Sequence, residues 1–292
     1  MALPSDLPVV DHHCHLAPSG EGVGAARRFR AAGGTDLFLA TQSYTALPPR
    51  SLEEYRVQFE TTEAMARRIA TEVGIRVHPV LAPYPVDLLH QAEVLGAAPA
   101  TALQEAALDL AGTRIAERAA VALGEVGWPH FPYPEPLRPA VEAIFDRALR
   151  IGRERECPVV VHAEEFDAEA FRRLAARASR CALPLHRVVK HYQRSRLRPE
   201  EFGGLVPSYL ARRDLVGEVV RSPGPWFWET DFLDDPARPG AVLDLETVPR
   251  RARSFLDRFP DEAELLRVPF QDSVERVYGF RPEPLAGRGG TP

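Results

Sequence analysis

Lysine is almost absent from this chain. Of its 36 basic residues only Lys190 is a lysine, and the rest are arginine. Abundant Arg, Ala and Pro fit a biased genome or heat adaptation, and composition does not separate the two. Cysteine is also scarce. Cys14, Cys157 and Cys181 are odd in number and spaced like neither a disulfide framework nor a Cys-x-x-Cys site. That excludes a disulfide-stapled domain and predicts reduced thiols in a cytoplasmic protein. No uncharged apolar run reaches the roughly 18 residues of a membrane helix, so no membrane partner is expected. The opening stretch MALPSDLPVVDHH lacks a basic start followed by an apolar run, and no signal peptide is expected. Positive charge is not in excess either: the net charge of −5 gives no global field that would draw nucleic acid. No glycine-rich phosphate loop follows the first apolar run, which counts against a doubly wound nucleotide-binding sheet. No linker or shift of composition divides the chain, so residues 1–282 read as a single domain and 283–292 as a disordered tail.

What is present is alternation. Short apolar runs end at about 15, 42, 82, 126, 163, 192, 211 and 232, roughly one per 30 residues, which is the length of one βα unit. Helical patterns lie between most of them: 51–74 with Ser51 as N-cap and Gly74 as stop, then 86–95, 100–118, 137–155 and 167–180. Further helices are expected near 246–258 and 269–278. Eight strands alternating with helices predict an α/β fold, a (β/α)8 TIM barrel.

The polar residues fall where such a barrel carries its chemistry. His13 and His15, Glu125, His162, His191 and Asp231 each end an otherwise apolar strand. Active sites of barrels lie at that carboxyl face, and polar groups there are costly to bury unless a metal or hydrogen bonds satisfy them. His13 and His15 are two apart, so they share a side of the strand and can grip one divalent ion. Asp11 shares that face one layer deeper. His12 and Cys14 point the other way, toward the helices, and are excluded as ligands. Glu125 lies in Gly-Glu-Val-Gly, where a carboxylate has two oxygens to offer two cations and the flanking glycines clear room for metal and substrate. Asp231 ends Glu229-Thr230-Asp231, on the face of Glu229, where it can hold a metal and accept a proton.

The set Asp11-His12-His13-Cys14-His15-Leu16, Gly124-Glu125-Val126-Gly127, Pro158-Val159-Val160-Val161-His162, His191 and Glu229-Thr230-Asp231 resembles the TatD-like metal-dependent hydrolases of the amidohydrolase superfamily. The likeness runs in order from residue 9 to about 232, and 273–279 is similar to that family's closing helix. The resemblance implies one or two divalent ions, with His13, His15 and Asp231 on the first, His162 and His191 on the second, and Glu125 bridging. It implies metal-assisted hydrolysis with Asp231 as proton shuttle, chiefly of phosphodiesters. Mixed imidazole and carboxylate ligands suit zinc, manganese or iron, with magnesium as a weaker candidate.

The pocket departs from that pattern. Glu164 stands where many such proteins carry a basic residue, and a carboxylate there repels a phosphodiester backbone. Trp128-Pro129 replaces a Leu-Asp pair, Tyr192-Gln193-Arg194-Ser195 replaces Cys-Phe-Ser-Gly, and Leu81-Ala82-Pro83-Tyr84 replaces Gly-x-His-Pro. Glu164, Tyr192, Arg194 and Trp128 are the candidate substrate contacts, and Phe131, Tyr133, Trp226 and Trp228 are further rim aromatics. The expected substrate is a small molecule or single-stranded nucleic acid cleaved at a phosphoester. Hydrolysis of an amide, cyclic amide or lactone in a small metabolite is the alternative, and a non-catalytic metal-binding pathway protein is the second alternative. No obligate protein partner is expected. Lys190 faces away from the barrel axis by alternation and is read as a packing or ion-pair residue.

Overall fold

A computed structural model describes residues 3–235, 238 and 242–285. Strands and helices alternate along the chain. The strands are β1 (Val10–His15), β2 (Asp36–Ala40), β3 (Arg76–Leu81), β4 (Ala122–Gly127), β5 (Val159–His162), β6 (Val188–Gln193), β7 (Val206–Leu210), β8 (Phe227–Glu229) and β9 (Phe232–Leu233). Between or after them run α1 (Val23–Ala31), α2 (Leu52–Val73), α3 (Asp87–Leu95), α4 (Ala97–Ala116), α5 (Arg138–Glu154), α6 (Ala168–Arg180), α7 (Arg213–Val219), α8 (Thr247–Arg258) and α9 (Ser273–Tyr278).

All pairings are parallel, in the order β8-β7-β6-β5-β4-β3-β2-β1-β9. Parallel strands covered on both faces read as unbroken apolar runs, which is why Val159-Val160-Val161 and Val188-Val189 are wholly buried. The sheet's two outermost strands are nearly one strand. β8 ends at Glu229 and β9 begins at Phe232. The Asp231 N–H donates to the His13 carbonyl (3.0 Å), and Asp11 accepts from the Thr230 N–H (3.0 Å) and hydroxyl (2.6 Å). The sheet is therefore curled, and the segment that follows β8 bonds to β1.

Local signals set the helix ends. Ser51 Oγ accepts from the Glu54 N–H (3.2 Å), and Gly74, at φ 68°, closes α2 in the left-handed conformation that glycine adopts freely. Tyr55, Phe59, Thr62, Ala66, Ile69 and Val73 form the buried stripe of that helix. Two helices lie outside the sequence expectation. α1 starts at Gly22 with no side-chain cap, and α7 has only seven residues. The region expected to be helical from 269 opens instead with a π turn, Val268–Asp272, before α9. Of the expected tail, 286–292 lies outside the described residues, while the Glu283 carbonyl accepts from Arg76. Among the described residues no helix is long and apolar enough to cross a membrane.

Three strands carry register shifts, and each sits at a chemical residue. Opposite β2, the shift in β1 falls between Asp11 and Cys14. Opposite β5, β4 shifts between Gly124 and Val126, and opposite β7, β6 shifts between Lys190 and Gln193. Bulges of this kind re-aim side chains at sites. Here they turn His12–His13, Glu125 and His191–Tyr192.

Candidate active site and metal centre

The ends of β1, β4, β5 and β6, with Asp231 between β8 and β9, bring six side chains together. On one side, His13 Nε2 and His15 Nε2 are 3.2 Å apart. Asp231 Oδ1 is 3.8 Å from both. Glu125 Oε2 is 3.7 Å from His13 Nε2 and 3.3 Å from His15 Nε2. On the other side, Glu125 Oε1 is 2.8 Å from His162 Nδ1 and 2.8 Å from His191 Nε2, and these two nitrogens are 3.1 Å apart. Ligands held about 2.1 Å from one ion at tetrahedral angles stand about 3.4 Å from each other. Both clusters have nearly that spacing, and the two oxygens of Glu125 face one cluster each.

The donor chemistry also fits a cation. His15 Nδ1 lies 3.2 Å from the Ala40 carbonyl, so Nδ1 carries the hydrogen and Nε2 presents a lone pair. That lone pair faces a carboxylate, which is repulsive unless positive charge lies between them. His191 has the same orientation, with Nδ1 3.5 Å from Glu229 Oε1 and Nε2 toward Glu125. His13, His15 and Asp231 form one group with metal-ligand spacing, and His13, Glu125 and His191 form another.

Burial and mutual charge set the titration of the site. Burial lowers His13 to about 4, and the neighbouring imidazole of His191 adds to the fall. Burial would raise Glu125, but His191, His13 and His162 hold it well below the carboxylate range. Burial lowers His162 despite Glu125, whereas His15 rises because Glu125 and Asp231 outweigh burial. His191 reaches about 10: burial opposes the rise, and Glu125 and Glu229 overcome it. Burial pushes Asp231 up to about 7 against the pull of His191 and His15. Asp231 also adopts φ 51°, a left-handed backbone in which a short polar residue is tolerated best.

Glu229 lies deeper than Asp231, which is the nearer of the two to the mouth, as expected. Glu229 is wholly buried beside His191. It accepts from the Tyr192 N–H (2.5 Å) and from Ser208 Oγ. His12 leaves the face expected for it with Cys14 and is not among the grouped candidate ligands. Cys14 faces the helices among Leu16, Phe29 and Leu39, but His12 stacks on Phe227 (3.8 Å between centroids) and bonds Tyr278 Oη (2.7 Å). The bulge in β1 gives His12 and Cys14 separate surroundings, where strict alternation would give them one face. The glycines beside Glu125 serve packing rather than ligand access. A Cβ on Gly124 would stand 2.7 Å from Val160 Cβ, and one on Gly127, at φ 136°, would stand 2.2 Å from the His162 carbonyl oxygen.

A cavity of about 610 Å³ opens above the cluster. Glu164, Tyr192 and Arg194 line it together with Tyr84, His130 and Arg238. Trp128 does not. It lines a neighbouring groove, donates from Nε1 to Glu142 (3.0 Å) and packs edge-on against Phe145. Trp226 and Trp228 are buried core residues rather than rim aromatics. Arg196 turns toward Ser222 (3.2 Å). Lys190 is fully buried, with Nζ on the Ala163 carbonyl (3.2 Å) and the His191 carbonyl, and it lies 5.1 Å from the Phe166 ring centre. Tyr84, His130 and Arg238 were not singled out from the sequence. The signal available for His130 was its place in the proline-flanked loop directly after the strand of Glu125.

Known proteins resemble this chain along nearly its whole length. A family model described as TatD related DNase matches residues 10–279. An uncharacterized protein of Methanocaldococcus jannaschii is 26% identical over 276 residues, covering 93% of this chain and 96% of the relative. A TatD-like protein of Archaeoglobus fulgidus superposes with a TM-score of 0.63 at 14% identity, covering 93% of this chain and all (100%) of the other. A TatD homolog of Escherichia coli K12 gives 0.61 at 18% identity, with 93% and 98% covered. A PTE-like lactonase of Deinococcus radiodurans gives 0.58 at 15%, with 95% and 98% covered. These structures share the fold. With the family model spanning nearly the whole length, the chain belongs to the TatD-related DNase family, and that membership supports a metal-dependent hydrolase.

Proposed function

We propose that the protein is a binuclear hydrolase that cleaves a phosphoester in a small molecule or a single-stranded nucleic acid. The sheet is then a (β/α)8 barrel closed through residues 229–232. The observation that carries this reading is the division of Glu125: Oε2 faces His13, His15 and Asp231, and Oε1 faces His162 and His191. His13, His15, Asp231 and Glu125 would hold the first divalent ion, and Glu125, His162 and His191 the second, with zinc, manganese, iron or magnesium as candidates.

When bound, such ions acidify water and polarise the oxygen of the bond to be cleaved. The chain supplies the rest. Asp231, at the mouth and raised to about 7 by burial, takes the proton of the attacking water and returns it to the leaving-group oxygen. His15 and His191 are held in ligand orientation by the Ala40 carbonyl and by Glu229.

One observation favours a second reading, hydrolysis of an amide or lactone. Glu164 is exposed at the mouth, and both arginines there are engaged, Arg194 by Glu165 (3.2 Å) and Arg238 by Asp235 (2.7 Å). A long anionic strand finds little free positive charge at such a rim. The test is metal analysis followed by turnover of bis(p-nitrophenyl) phosphate, single-stranded DNA, lactones and N-acyl compounds, with wild type and Asp231→Asn. Phosphoester cleavage lost in Asp231→Asn supports the first reading, and Asp231-dependent turnover confined to lactones or amides replaces it with the second. Metal uptake without Asp231-dependent turnover of any class leaves a binding protein.

A further inference from the structure

The far side of His162 is as fully engaged as the side facing Glu125. Its Nε2 lies 3.0 Å from His130 Nδ1 and 3.3 Å from Tyr84 Oη. His130 belongs to the loop after β4 and Tyr84 to the segment after β3, and both line the 610 Å³ cavity.

The hydrogens in this cluster can be assigned one after another. If His162 Nδ1 offers its lone pair beside Glu125 and His191, the neutral ring carries its hydrogen on Nε2. A metal-ligating histidine normally gives that second N–H to a fixed acceptor. The acceptor here is His130 Nδ1, with Tyr84 Oη as the second, longer partner. A neutral His130 that accepts at Nδ1 must itself carry a hydrogen on Nε2, and a tyrosine that accepts has its own hydroxyl hydrogen to give. One N–H on His162 thus sets two donors on residues that line the cavity. Arg194 and Arg238, by contrast, already face carboxylates.

We propose that His130 and Tyr84 are substrate-contacting residues, a donor pair oriented by His162 that receives a negatively charged phosphoryl oxygen of the substrate. This deepens the hydrolase reading and rests on it. Donors fixed in advance around a charged oxygen need no reorganisation when it arrives, and each such donor typically changes turnover by about 10²–10³.

Two histidine substitutions separate the two ends of the His130 ring. In His130→Asn the amide oxygen stands near the Nδ1 position and can accept from His162, but nothing reaches toward substrate. In His130→Gln the amide N–H reaches the Nε2 position, but the acceptor for His162 is lost. The probe is inorganic phosphate, titrated by calorimetry into manganese-loaded protein whose metal content has been measured. Tyr84→Phe and His130→Asn are expected to keep the wild-type metal content and bind phosphate roughly 10- to 100-fold more weakly, as for loss of a charge-assisted hydrogen bond. His130→Gln is expected to recover most of the phosphate affinity and hold the second ion less tightly. Long-range ¹H–¹⁵N spectra of zinc-loaded wild type should place the hydrogen of both His162 and His130 on Nε2, a readout that needs no variant to fold. Normal metal content with unchanged phosphate affinity in both Tyr84→Phe and His130→Asn overturns the donor pair and leaves the hydrolase reading standing. A hydrogen on His162 Nδ1 overturns it as well. Failure of wild type to take up metal overturns both.

Discussion

Glu229→Gln should loosen one ion of the proposed pair and spare the other. The wild-type carboxylate is wholly buried, and His191 and Ser208 hold it ionised although burial favours the neutral form. Its Oε1 accepts from the Tyr192 N–H and stands 3.5 Å from His191 Nδ1, and Oε2 accepts from Ser208. The amide keeps the shape and one acceptor. It removes the charge that pulls on His191 Nδ1–H and leaves the Ser208 hydroxyl hydrogen without its acceptor. The 3.5 Å separation is that of an ion pair rather than a formed hydrogen bond, so the effect on His191 is electrostatic, and outer partners of metal-bound histidines typically contribute about 10- to 100-fold in affinity. The expected result is a 10- to 100-fold weaker second equivalent of metal with the first unchanged, because His13, His15 and Asp231 make no contact through Glu229. Competition against a chromophoric chelator would resolve the two equivalents, with circular dichroism as the folding check. Two equivalents held as tightly as in wild type would refute the positioning role. Equal weakening of both would refute the separation of the clusters.

Other perturbations test particular links. Gly127→Ala puts a methyl 2.2 Å from the His162 carbonyl oxygen at a backbone angle near-exclusive to glycine, so it should cost roughly 3 kcal/mol or more and lower the melting temperature by several degrees. Lys190→Met keeps the apolar stem but strands the carbonyls of Ala163 and His191; a loss of about 1–3 kcal/mol by denaturant titration is expected. Burial raises Asp87 to about 7 against hydrogen bonds from Tyr55 and the Tyr84 backbone. Its folded pKa is above the unfolded one, so the stability it lends is full below pH 3.8 and is lost as pH rises through about 7. At about 1.4 kcal/mol per tenfold change in proton affinity, that span amounts to roughly 4 kcal/mol. Asp87→Asn should flatten the pH dependence of stability in this window, and an unchanged slope would contradict the assignment.

The strands, their order along the chain and the face that gathers polar residues were legible in the sequence, because parallel strands covered on both sides leave unbroken apolar runs such as Val159-Val160-Val161. The expected ligand set converges in space for the same reason: each member ends such a run. What alternation misreads are the bulges. A residue inserted in β1 parts His12 from Cys14 and sends His12 to Phe227 and Tyr278. The insertion leaves composition ordinary, so a period of two has no means of registering it. Gly124 and Gly127 were misread because a glycine beside a site signals close approach without saying what approaches, and here it is the neighbouring strand. Trp128, Trp226 and Trp228 show the same limit: an aromatic near a strand end packs on the core or lines the pocket according to a register that sequence alone leaves open. His130 and Tyr84 escaped because each is a single polar residue in a loop, and only their distance to His162 gives them meaning.

The central proposal is that Glu125 divides its two oxygens between two ions. The most direct measurement is anomalous diffraction from crystals of the manganese- or zinc-loaded protein, with metal stoichiometry in solution alongside. Two peaks are expected, one among His13, His15 and Asp231 on the Oε2 side of Glu125 and one between His162 and His191 on the Oε1 side. Two equivalents per chain should fall by at least one in the His13→Ala, His15→Ala double variant. A well-ordered Glu125 with no metal at either oxygen, or full metal retention in the double variant, would contradict it.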